Sequence, residues 1–62
     1  MKKYQIIITN GTAENTYIST SRNAKKHLRD YGGDKCLVAD MHGNNISGAI
    51  NSPEFGIVGV TV

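Results

Sequence analysis

The stretch that most constrains this chain is residues 20–33, TSRNAKKHLRDYGG. It opens on a hydroxyl side chain able to accept a backbone N–H from a first helical turn. It closes on two glycines, which enter the left-handed region without a Cβ clash. Thr20 is the expected N-cap, with Ser21 nearly equivalent. Asn23 then occupies the third helical position, where a capping box would place Glu or Gln. About eleven residues separate these signals, close to the mean helix length. At roughly 100° per residue, Ala24, Leu28 and Tyr31 fall on one stripe with His27 on its edge. Arg22, Lys25, Lys26 and Arg29 fall on the opposite side, within an arc of about 100°. Four of the seven Lys and Arg residues are thus gathered on one helix face. Asp30 borders the cluster and stands four residues after Lys26, a spacing that predicts an ion pair worth roughly 0.3–0.5 kcal/mol.

Everything else reads as strand and turn. Residues 3–9 alternate, with Tyr4, Ile6 and Ile8 on one face and Gln5, Ile7 and Thr9 on the other, and three successive isoleucines favour extended backbone. Asn10-Gly11 marks a turn, and the polar run through Asn15 predicts a loop rather than a tight two-residue hairpin. Residues 15–19 form the second strand, with Ile18 favoured over Tyr17 as its core residue. Residues 35–41, KCLVADM, are apolar on both alternation sets, which predicts a central strand covered on one face by the helix and partly on the other. His42-Gly43-Asn44-Asn45 forms a hairpin turn. Residues 46–50 return as a strand weakened by Gly48. Asn51-Ser52-Pro53-Glu54 turns again, and residues 55–62 form the last strand, with Val58, Val60 and Val62 on one face. Gly56 and Gly59 suggest bulges or close approach of another backbone.

The fold class is therefore α+β. A small, mostly antiparallel sheet of four to five strands carries one helix packed on one face, in the order β-β-α-β-β-β. Residues 1–62 make a single domain. A chain of 62 residues buries only about 60% of its unfolded surface, so a second chain or a large partner is an expected source of further burial. The uncharged final strand is an edge hazard unless it is central or paired, which predicts a homodimer through residues 55–62.

Composition narrows the chemistry. A single cysteine, Cys36, permits no internal disulfide and reads as a small buried hydrophobe in a reducing setting. The start, MKKYQIIIT, lacks the apolar run of a signal peptide, and no stretch approaches the ~20 apolar residues that span a bilayer. A cytoplasmic location is expected. Asp40 and His42 share a strand face, but no nucleophile or second acid stands at a readable spacing. His27, His42, Cys36 and Asp40 lack the spacing of a zinc site. Gly56-Ile57-Val58-Gly59 has GxxG spacing with β-branched middle residues, which fits a strand and not a nucleic-acid clamp. No catalytic residue, metal or cofactor is expected. The candidate site is a partner-binding surface made of Arg22, Lys25, Lys26 and Arg29.

In its opening strand Tyr4-Gln5-Ile6-Ile7, its cap-to-helix segment Ser21-Arg22-Asn23-Ala24-Lys25-Lys26 and its later Gly43-containing hairpin, the chain resembles the small phage-encoded anti-CRISPR proteins. The likeness is to one acting on the type I-F surveillance complex. The resemblance implies a non-enzymatic inhibitor that docks on a host protein or ribonucleoprotein surface which normally receives nucleic acid, with Lys25 and Lys26 at the contact. The chain departs from that pattern in having no Trp and a Gly- and Val-rich end. Two other roles fit the same residues: direct DNA or RNA binding by the helix, and a structural subunit joined through its last strand. The formal charge of +2 permits an acidic partner and does not demand one.

Overall fold

The computed structural model describes residues 1–60. Its elements are β1 (Tyr4–Asn10), β2 (Ala13–Ser19), α1 (Ala24–Tyr31), β3 (Lys35–Asp40), β4 (Asn45–Ser52) and β5 (Gly56–Val60). The strands form one antiparallel sheet in the order β2-β1-β3-β4-β5, with β3 at its centre. The α+β class and the β-β-α-β-β-β order are those read from the sequence.

The first hairpin departs from expectation. Asn10 pairs with Ala13, so only Gly11 and Thr12 form the turn, and β2 begins two residues before Asn15. Gly11 takes φ +61° while no non-glycine residue among those described has positive φ, the pattern of a turn with glycine at its first central position. That turn sets Ile6 opposite Tyr17 and Gln5 opposite Ile18. Ile6 is fully buried, so Tyr17 shares its inward face and packs against the core, while Ile18 is 50% exposed on the other face. The expectation that Ile18 is the core residue is overturned by register, because the side-chain period of a strand is two.

The core lies between α1 and the sheet. Ile6, Ile8, Ala24, Leu28, Cys36, Val38 and Ala49 form it, and Tyr4, Tyr17, Ile46 and Ile57 pack around it. Fully burying a side chain such as Leu28 is worth about 1.5–3 kcal/mol. Tyr31, expected on the same stripe, is 54% exposed, because it is the last helical residue and reaches outward to stack on Tyr17 at 5.7 Å. The irregularity in the sheet lies between Val38 and Ala39, where β4 carries Ile46 as an extra residue, and not at Gly56 or Gly59. Gly48 sits buried in an intact ladder. β4 runs to Ser52, so the following turn is Pro53–Phe55 rather than 51–54, and the Ser52 hydroxyl accepts from Glu54 and Phe55 N–H groups. β5 is an edge strand; Thr61 and Val62 lie outside the described residues.

Gly33 is the glycine the fold most requires. It has φ +120°, and an added Cβ would stand 2.9 Å from the Thr9 carbonyl oxygen. Next to it, Asp34 N–H donates to that same carbonyl at 2.8 Å, and the Asp34 carboxylate accepts Gly11 N–H at 2.7 Å. The glycine pair thus ends the helix and docks the loop onto the first hairpin.

Candidate functional site

The helix begins later than its sequence suggests. Asn23, not Thr20, is the N-cap; its side-chain oxygen accepts Lys26 N–H at 3.2 Å. The reason is local. Ser19 and Ser21 hydroxyls accept N–H groups two residues on, from Ser21 and Asn23, and hold residues 20–22 in turns rather than helix. At the other end Gly32 N–H donates to the Leu28 carbonyl at 2.8 Å, closing α1. One consequence bears on the site: Arg22 stands before the helix and not on its outer face.

The four expected contact residues are therefore divided. Lys26 and Arg29 lie exposed on α1. Arg29 sits 3.7 Å from Asp30, both side chains well exposed, so Asp30 pairs with Arg29 rather than with Lys26. An exposed pair of this kind contributes at most about 1 kcal/mol and leaves the face cationic. Lys25 is exposed but leans over the sheet. Its Cε lies 3.0 Å from where a Cβ of Gly59 would be, and its Nζ at 3.8 Å. The methylene stem covers the bare backbone of β5 while the ammonium stays in water. The close approach expected at Gly59 comes from this side chain rather than from another backbone. Arg22 borders the hollow of about 340 Å³ between the start of α1 and β4–β5, which Lys25 also lines, and Ser47 donates its hydroxyl to the Arg22 carbonyl at 3.0 Å. The outward face of α1 thus carries Lys26 and Arg29, with Lys25 at its sheet side and Arg22 at the approach.

The inner edge of α1 is fixed by a short relay. His27 Nε2 faces the Ser21 carbonyl at 2.9 Å and Nδ1 faces the Tyr17 hydroxyl at 2.8 Å. A carbonyl only accepts, so Nε2–H donates there, and Nδ1 of the neutral ring accepts the Tyr17 O–H. Burial is the main cause that pushes the Tyr17 phenol up, followed by the repulsion its anion would meet from Cys36 and Tyr31 in their ionised forms and from the Asp30 carboxylate, so it stays protonated and neutral. The relay ties edge strand β2 to the helix. The sequence places His27 at the stripe's edge but carries no signal for its two partners.

Asp40 meets His42 through the His42 backbone N–H. Asp40 accepts His42 N–H and Asn44 N–H on Oδ1, each at 2.9 Å, and the Asn44 side-chain amide on Oδ2 at 3.1 Å. Bonds from the Asn44 backbone and side chain hold its carboxyl below the usual range. It is the clasp of the β3–β4 turn. Burial pushes the Cys36 thiol up, which leaves it a packing group. Among the described residues no three His, Cys, Asp or Glu side chains gather as a metal site, and no helix is long and apolar enough to cross a membrane.

No protein-family model, curated protein or solved structure matches the chain.

Proposed function

We propose that this chain is a small non-enzymatic interaction protein of phage or mobile-element type. It binds and inhibits a host nucleic-acid-handling complex through the outward face of α1. The observation that carries the reading is the exposure of Lys26 and Arg29 on a helix whose other side, Ala24 and Leu28, is buried against the sheet. Cations on the outer face of a rigid helix are drawn to acidic surfaces, so the helix docks on acidic residues of the complex and keeps nucleic acid out by occupying the space beside them rather than by imitating its charge. Lys25 and Arg22 extend that positive surface toward the sheet and toward the chain start. The resemblance to type I-F anti-CRISPR proteins supplies the class of partner, and the host cytoplasm is the location it implies.

The test is a competition assay with a purified type I-F surveillance complex and its target duplex DNA. The expected result is that the chain lowers DNA binding at a stoichiometry near one per docking site. Undiminished DNA binding at saturating protein would end the reading. A mobility-shift titration of the chain alone with duplex DNA at two salt concentrations runs beside it. An affinity that falls by ~0.9 log units per phosphate contact for each tenfold rise in salt would assign the same helix to direct DNA binding instead.

A further inference from the structure

A second cationic locus lies away from the outer helix face, where the chain start, the approach to α1 and the β3–β4 turn meet. Lys2, Lys3 and Arg22 line a hollow of about 410 Å³ together with Tyr4, Met41 and Ile46, a size within the range of small-molecule sites. Two of the cations come from the chain start and the third from the link before the helix, so the fold brings them together. Asp40 is the one carboxylate at this hollow, and its oxygens already accept three hydrogen bonds from the turn. Three positive charges against one committed negative charge leave a focus of positive potential that an anion would relieve. Tyr4, Met41, Ile46 and His42 complete the lining. Tyr4 packs on the core, Ile46 is the extra residue of the β4 bulge, and Met41 is 53% exposed. Cations beside an aromatic ring and an exposed thioether suit a ligand with an anionic end and a flat body.

We propose that this hollow binds a 5′-phosphorylated nucleotide unit, its phosphate held by Lys2, Lys3 and Arg22 and its base laid against Tyr4 and Met41. Lysine meets phosphate as a point charge and arginine as a two-pronged donor, so the set tolerates one tetrahedral anion from several directions. The site shares Arg22 with the positive surface described above but contains neither Lys26 nor Arg29, and it does not rest on the docking reading.

The experiment is an amide chemical-shift titration of the full chain with adenosine 5′-monophosphate, adenosine and inorganic phosphate as separate probes. The monophosphate is expected to move amides of residues 2–4 and 41–46 saturably, with adenosine and phosphate each roughly tenfold weaker. Lys2→Glu with Lys3→Glu is expected to weaken it by roughly tenfold or more. These residues precede β1, so amide dispersion is retained. Lys26→Glu with Arg29→Glu is expected to leave it within about twofold, since those charges are exposed and screened. A 5′-phosphorylated tetranucleotide that binds more tightly than the monophosphate assigns the site to strand ends; equal binding assigns it to free nucleotides. The proposal is overturned if the monophosphate gives no saturable shift at millimolar concentration, if inorganic phosphate binds as well, or if reversal at Lys2 and Lys3 changes nothing.

Discussion

At the residue scale, the caps decide where the cations point. Asn23 accepts Lys26 N–H, and Thr20 has no such partner in the helix. Asn23→Ala is expected to cost about 0.5–2 kcal/mol, and Thr20→Ala less than about 0.5 kcal/mol, by urea denaturation. Equal costs would show that the helix starts at Thr20 after all. The cap was half legible: Asn23 stood out in the sequence, but as a poor capping-box partner to Thr20. What hid its role was a pair of serine turns that a count of helical positions does not register. Asp40 makes a pH prediction. Its folded value is lowered from the usual 3.8, so its contribution to stability is fully present above that value and is lost as pH falls through the lowered one. Asp40→Ala is expected to destabilise the fold at neutral pH and to flatten the acid limb of the stability profile. An unchanged acid limb would remove Asp40 from the account.

At the scale of elements, one misread turn moved a whole face. Alternation in β1, the central place of β3 and the glycine stop of α1 were all readable, because each rests on local pattern. The inward residue of β2 was not, since it depends on turn length. With Gly11-Thr12 recognised as a two-residue turn, burial of Ile6 would have required Tyr17, not Ile18, to face the core. The bulge at Ile46 had no sequence mark at all. The joint between α1 and the sheet rests mainly on Leu28 among Ile6, Ile8, Cys36 and Val38. Leu28→Ala is expected to cost about 2–5 kcal/mol. A domain of this length has only about 3–9 kcal/mol in all. Thermal melting should therefore show a midpoint lowered by about 10 °C or more, and a melting point within a few degrees of the parent would contradict the packing described.

At the scale of the whole molecule, the two sheet edges differ. β2 carries Glu14, whereas β5 from Gly56 to Val60 has no charged residue and pairs only with β4. An uncharged edge is open to pairing with a second copy. Light scattering is expected to show a dimer that forms with rising concentration and is lost in Val60→Lys; a monomer at every concentration would exclude it. Of the proposed docking residues, Lys25 reaches over Gly59 of β5 whereas Lys26 and Arg29 lie on the outer face of α1, so substitutions at Lys26 and Arg29 separate the two properties. The measurement that bears most directly on the helix as a docking surface pairs two readouts on Lys26→Glu with Arg29→Glu. One is binding to the type I-F surveillance complex and the other is the melting temperature. Binding should be lost while the melting temperature stays within about 4 °C of the parent, since both side chains are exposed. Retained binding by the folded, doubly reversed chain would contradict the account.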